Sequence, residues 1–335
     1  MSSLLKRIPE LTLLIVVTIV VYIAMGLLSQ VSDTTALSSS GAWNLVVGSF
    51  LMSLVIAIVA VLGGVGGGVL YTPVMLGFTS VDSLLVRSTG LVVAMFSGLV
   101  SSGPFMRKGL ADIRIVFYCA IPIIVGAMLG AQVAIGVAEN MGEFGDAIVR
   151  LLLGIILVFI ALMFILGGSQ NEYPKPKPLD AISKRLNLKS SYYEESLGKN
   201  VYYQAARTIQ GGILFLLVGF TGGFFGLGGG WAVVPVLNLV MAVPLKVSAA
   251  SSGVLLAMGN AAAIWPYIVK GALIAVFAAP WMIGQVIGGI LGAHILAKIK
   301  AGFVRNILIV LLILTSIKLI ARGIEGIFGI DIPVV

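Results

Sequence analysis

The sequence predicts an all-α polytopic membrane protein built from two inverted repeats of about five membrane segments each, with a glycine-broken half-helix segment in each repeat and an extra N-terminal helix. Three observations carry this. Of the 335 residues, 59% are hydrophobic and only 10% charged, where a soluble domain carries about 25% charge. Apolar runs of bilayer length recur along the whole chain. Twice, a glycine cluster interrupts such a run and is followed by a proline: Gly63-Gly64-Val65-Gly66-Gly67-Gly68 leads to Pro73, and Gly226-Leu227-Gly228-Gly229-Gly230 leads to Pro235.

The elements follow in order. Leu11–Leu28 comes after Lys6 and Arg7, exceeds a typical signal-peptide apolar region, and has no clear small-residue cleavage pattern behind it, so it is expected to span. Further spans are expected at Trp43–Leu62, Leu84–Gly103, Ile113–Ala138, Ala147–Leu166, Thr208–Phe225, Val247–Ile268, Ala272–Ala297 and Phe303–Ile320. Two shorter pieces, Val69–Phe78 and Trp231–Val243, trail the glycine clusters and read as half-helices. The resulting organisation is an N-terminal helix and outer loop (1–42), repeat 1 (43–167), a cytoplasmic linker (168–206), repeat 2 (207–322) and a C-terminal tail (323–335).

The halves match in order and at nearly constant offset. Gly66-Gly67-Gly68 aligns with Gly228-Gly229-Gly230, Pro73 with Pro235, Ser88-Thr89-Gly90 with Ser251-Ser252-Gly253, and Lys108-Gly109 with Lys270-Gly271. Gly126 and Gly130 align with Gly288 and Gly292, and Val149-Arg150 with Val304-Arg305. Charge sets the orientation. With the N-terminus cytoplasmic, the turn bearing Arg107, Lys108 and Arg114 and the basic linker both fall inside, while Glu139, Glu143 and Asp146 fall outside. This requires an odd number of segments per repeat, hence antiparallel repeats, and places the C-terminus outside. The linker opens with Pro174-Lys175-Pro176-Lys177-Pro178, a stiff polyproline-like spacer. One short amphipathic helix is expected at Ala181–Leu188 within an otherwise solvated tether; a regulatory or partner-binding role is the alternative.

Composition also excludes. One cysteine (Cys119) and one histidine (His294) leave no disulfide and no cysteine- or histidine-cluster metal site. The net charge of +8 sits mostly in the connections, which points to membrane orientation rather than nucleic acid. No Walker A pattern and no evident hydrolytic arrangement appear, so the chain is expected not to be an enzyme and to need no cofactor. No acidic residue lies deep in an apolar run, which favours an anion over a cation as solute.

Residue types then point to a site. A triple glycine weakens a helix and frees peptide N–H groups, and the half-helix that follows presents a partially positive N-terminus. Together these make an anion cradle without a charged side chain. The expected substrate-binding residues are Gly66, Gly67, Gly68 and Pro73, and Gly228, Gly229, Gly230 and Pro235. The hydroxyl pairs Ser88-Thr89 and Ser251-Ser252 join them, read as helix caps that could also grip an oxyanion. Arg87 and Lys246, just before these pairs, either snorkel to the interface or supply cationic attraction at the two mouths of the pathway. Among the few polar residues at membrane depth (Asn238, Asn260, Gln132, Gln285, His294 and the indoles of Trp231, Trp265 and Trp281), Trp231, Asn238 and Asn260 are assigned to the site. Gln132 and His294 are read as interfacial hydrogen-bonding groups, and Gly126, Gly130, Gly284, Gly288 and Gly292 as helix-packing positions.

The segments Gly63–Pro73 and Gly222–Pro235, with Ser251-Ser252-Gly253 and the two Lys-Gly pairs, resemble the TauE/SafE family of sulfite and organosulfonate transporters. The likeness runs from about Leu45 to Ile320, leaving Leu11–Leu28 as an added helix. It implies movement of small sulfur oxyanions and supports the triple glycines, Pro73 and Pro235 as pathway positions. One departure is that Arg87 precedes Ser88 while Ala250 precedes Ser251. The expected function is a secondary transporter for a small anion, sulfite or an organosulfonate, working by alternating access at a midplane site. An anion channel with the glycine breaks as its filter is the alternative; a membrane enzyme is a weaker one. Expected partners are the anionic solute and the lipid bilayer, with a homodimer left open and no nucleic acid.

Overall fold

The computed structural model describes residues 39–63, 66–79, 81–166, 172–175, 177–194, 197–296 and 301–330. The expected span Leu11–Leu28 lies outside them, as does the side chain of His294. In chain order the elements are α1 (Ser39–Gly63), α2 (Gly68–Phe78), α3 (Ser83–Arg107), α4 (Ile113–Leu166) and α5 (Ala181–Arg185). There follow β1 (Lys189–Glu194), β2 (Lys199–Gln204), α6 (Thr208–Phe225), α7 (Gly230–Pro235), α8 (Leu245–Val269), α9 (Ala275–Leu296) and α10 (Ala301–Phe328). A π-helical turn, Val236–Val240, continues α7.

Among the described residues, five helices are long and apolar enough to cross a membrane by length and composition. The molecule is a multi-pass membrane protein of mostly helical build. The outward faces fit lipid. On α4, Ile113, Phe117 and Ile121 recur at one-turn spacing and are 68%, 66% and 69% exposed, a stripe that water would penalise and hydrocarbon does not.

Close helix approach sets the packing. α4 crosses α6 where Gly126 and Gly130 meet the Leu216 and Phe220 carbonyls, and where Gly219 and Gly223 meet those of Ile123 and Ala127. No side chain fits between these backbones. α9 meets α1 in the same manner, Gly284 lying against Phe50 O and Gly288 against Leu54 O. Small residues that let backbones touch are the usual source of helix association where no hydrophobic effect operates.

Three expectations need correction. First, the fold is not all-α, because the linker carries a hairpin. β1 pairs antiparallel with β2 from Lys189↔Gln204 to Glu194↔Lys199. Tyr192, Tyr193, Val201, Tyr202 and Tyr203 favour a pleated surface, and Gly198 takes a positive φ in the connecting loop. Nor is the hairpin a solvated tether: Leu188 and Ala205 are buried in a core with Ile115, Phe215 and Val247, and the Tyr203 hydroxyl donates to Asp112 Oδ2 at 2.8 Å. The expected helix here shortens to α5, whose N-terminus is capped by Asp180 accepting from Ser183 N. Burial raises the Asp180 pKa, but bonds from the Ser183 and Thr208 amides and the Thr208 hydroxyl outweigh it and hold the carboxyl below its ordinary value.

Second, the expected loop over Glu139–Asp146 is helical on both sides of a single break, Gly142 (φ 51°, ψ −130°), so that α4 is two arms joined at one residue. Third, α3 and α8 begin at Ser83 and Leu245, about a turn and a half before the hydroxyl pairs. Those pairs therefore do not cap. Asp82 Oδ1 accepts from Leu85 N in the first turn of α3 instead.

Candidate functional site

The first glycine segment ends α1 at Gly63 and starts α2 at Gly68; the second ends α6 at Phe225 and starts α7 at Gly230. Gly66 (φ 81°), Gly226 (φ 70°) and Gly228 (φ 64°) occupy the left-handed region, where an L side chain is strained. The tertiary fold brings the two segments into contact. A Cβ on Gly66 would lie 3.8 Å from the Gly230 Cα, and one on Gly68 would lie 2.5 Å from Leu227 O. The Thr72 hydroxyl donates to Gly226 O at 2.8 Å, joining α2 to the second segment directly.

Two helices frame this junction. α3 and α8 pack side by side and run in opposite directions: Ser102 Oγ donates to Ala249 O while Ser88 Oγ donates to Ala272 O. They pass the junction at Ala94 and Asn260, both of which lie against Gly228. On the other side, Gln285 of α9 presses its amide onto Gly67, whose own N–H donates to Ser97 Oγ at 2.9 Å.

Among the described residues, what gathers here is rich in N–H groups and free of carboxylates. Asn260 is 4% exposed and Gln285 is fully buried. Asn260 Nδ2, both polar atoms of the Gln285 amide, and the indole N–H groups of Trp231 and Trp281 have no hydrogen-bond partner among the described residues. Leaving a buried amide unpaired costs about 1–3 kcal/mol, and two such amides, Asn260 and Gln285, lie at the junction. Trp281 stands one turn before Gln285 on α9 and packs edge-on against Tyr71 at 4.5 Å. A cavity of about 10 Å³ adjoins Gly229 and Asn260, room for about one water, so the junction is closed in this conformation. The larger cavity of about 810 Å³ lies elsewhere, between the hairpin and the α3–α4 turn. It opens beside the 77%-exposed Tyr202, at the first residues of α4 and away from the glycine segments.

The other expected site residues lie apart from the junction or are already engaged. Pro73 and Pro235 lie within α2 and at the end of α7. Asn238 donates to Val243 O at 2.9 Å inside its own turn. Ser251 Oγ accepts from Asp112 N, and Ser252 Oγ donates to Ala249 O within α8. Thr89 is the exception: it is fully buried, and neither its hydroxyl nor that of Tyr71 has a hydrogen-bond partner among the described residues. Lys246 is paired with Glu194 of the hairpin at 2.6 Å, which removes it as a free cation at a mouth. Arg87 does not snorkel: it is 0% exposed.

Gln285 and Ser97 were missed as site residues, and a signal for both was present. Ser97 follows Ser88 by nine residues as Asn260 follows Ser251 by nine. Gln285 precedes Gly288 by three residues, where the first half has Ile123 before Gly126. A polar residue at one of two matched, membrane-depth positions is an asymmetry worth a functional reading.

No solved structure matches the chain. Among curated proteins it is 26% identical over 281 residues to the probable membrane transporter protein YunE of Bacillus subtilis (strain 168), an alignment covering 82% of this chain and 97% of that protein. Residues 2–139 and 48–319 match the profile of the sulfite exporter TauE/SafE family. With membrane-length helices around a junction of two glycine segments, and with these matches spanning most of its length, the chain belongs to the sulfite exporter TauE/SafE family of membrane transporters.

Proposed function

We propose that the chain is a secondary transporter for a small sulfur oxyanion, sulfite or an organosulfonate, bound midway through the bilayer where the two glycine segments meet. The observation that carries this reading is the pair of buried, unpartnered amides, Asn260 against Gly228 and Gln285 against Gly67, at that junction, with the unpartnered indole N–H groups of Trp231 and Trp281 beside it in sequence, one residue after Gly230 and one turn before Gln285. An anion accepting these bonds would relieve their desolvation cost, and the first turn of α2 adds partial positive charge.

Antiparallel repeats supply the route for alternating access. Matched residues reach across to matched places: Ser88 Oγ donates to Ala272 O after α8, while Ser251 Oγ accepts from Asp112 N after α3. Each half thus braces the turn of the other, as expected of two halves related by a two-fold axis in the membrane plane. Rocking one half against the other would open the closed junction first to one side and then to the other. The basic hairpin side is cytoplasmic in this reading, and the Gly142 side external.

Reconstituted protein tests the proposal. Vesicles loaded with unlabelled sulfite should accelerate entry of labelled sulfite by counterflow, with saturation. Ohmic current without counterflow would reject the carrier, and inert vesicles across sulfite, methanesulfonate and sulfoacetate would reject the substrate class.

A further inference from the structure

At the end of the bundle opposite the hairpin lies a cluster that the central junction does not use. Arg87 sits in the second turn of α3, fully buried. Its Nε donates to Ser83 O at 3.2 Å and its Nη1 to Phe224 O at 3.4 Å. Its Nη2 has no hydrogen bond among the described residues and stands 3.8 Å from Asp146 Oδ1. Arg150, one turn beyond Asp146 on α4, has a buried Nε with no partner among the described residues. It is in electrostatic contact with Asp146, Arg322 and Arg87 together. Arg322 of α10 donates to Thr79 O at 3.0 Å in the α2–α3 connection. Arg87 and Arg150 therefore share the Asp146 carboxylate, with Arg322 close to Arg150, and that carboxylate is 27% exposed.

This is an unusual balance. Burying cations is costly unless they are paired, and Asp146 contacts Arg87 at a length that leaves Nη2 without a proper bond. The missing partner has the chemistry of a planar or tetrahedral oxyanion, which guanidinium forks hold in bidentate fashion. The position is equally telling. Arg322 ties the cluster to the bundle end, while Arg87 reaches Phe224 O, and its own backbone presses against Gly226 of the second glycine segment. The cluster links the surface to the junction.

We propose that Arg87, Arg150 and Arg322 form a second anion-binding station for a free small oxyanion, between the Gly142 end of the bundle and the central junction. Asp146 is its resident counter-charge, which the incoming anion displaces. The identity of the anion as a sulfur oxyanion rests on the transport reading above; the existence of the station does not. A free solute fits better than a lipid headgroup because Arg87 is wholly enclosed.

Calorimetric titration of the full-length protein in neutral detergent with sulfite, methanesulfonate and sulfate tests this. Arg150→Gln should weaken binding about tenfold and Asp146→Asn should tighten it by a similar factor, the scale of one partly exposed charge at close range. Arg87→Gln is a poorer probe, since it strips donors from two buried carbonyls. Matching melting temperatures of the Arg150 and Asp146 variants guard against misfolding. Unchanged affinity in both variants, or no binding of any of the three anions, overturns the station. Adding phosphatidylglycerol should leave the affinity unchanged; loss of anion binding there would assign the cluster to a headgroup and overturn the proposal. If the transport reading alone fails, wild-type vesicles show no flux while the variants still shift anion affinity; if the station alone fails, flux is normal and the variants bind as wild type.

Discussion

Adding one methyl group at Gly68 tests whether the two glycine segments must touch. An ideal Cβ there lies 2.5 Å from Leu227 O, 2.7 Å from the Ala94 Cβ and 3.0 Å from Gly90 O. Carbon and its neighbours settle near 3.5–4.0 Å, so α2 and the second segment must separate by about 1 Å. Two of the three obstacles are backbone atoms and cannot rotate away. Overpacking of this kind costs about 1–3 kcal/mol, which lowers the melting temperature by roughly 1.5–4 °C in a chain of this length. Gly136→Ala is the matched control: that glycine has nothing within 4 Å of its Cβ position, and alanine there should stabilise α4 by about 0.5–1 kcal/mol through backbone entropy. Ala94→Gly combined with Gly68→Ala should recover part of the loss, because it removes one obstacle and leaves Leu227 O. The assay is thermal unfolding of purified protein alongside vesicle flux. If Gly68→Ala melts and transports as wild type does, the contact between the segments is not what the fold depends on, and the reasoning fails.

Other outcomes follow from the same geometry. Gly67→Leu and Gly229→Leu should each abolish flux while protein still reaches the membrane, because a side chain at Gly67 meets the Gln285 amide and one at Gly229 meets Val218 Cγ1 at 2.8 Å; wild-type flux in both would remove the cradle. Gln285→Leu should stabilise the resting protein by about 1 kcal/mol, by deleting an unpaired buried amide, yet weaken sulfite affinity; a Leu variant that is both less stable and fully competent would show the amide to be structural. Asp180 has its pKa depressed in the fold, so its contribution to stability is complete above its unfolded value, about 3.9, and is lost as pH falls through the lower folded value. Acid melting curves should therefore flatten in Asp180→Asn, and parallel curves for the two proteins would contradict the linkage.

The sequence by itself determined the membrane class, the mostly helical build and several of the long apolar helices, and it shows two glycine-rich runs. Those properties depend on local composition and on the length a bilayer demands, and both can be read one segment at a time. Gly142 escaped attention because a single residue in a glycine-only conformation can redirect a helix without any loop-like composition around it. The hairpin escaped for a different reason: its Tyr-rich strands are too short and polar to stand out, and the residues that flank them pack against Ile115 and Phe215, brought from distant positions. Arg87 was visible as a charge, but only the fold could set it beside Arg150 and Arg322, which the chain keeps far apart. Likewise Gln285 looks like any lone polar residue until α9 lays it on Gly67. Contacts between segments remote in sequence are chosen by mutual packing, and no single stretch of chain contains that information.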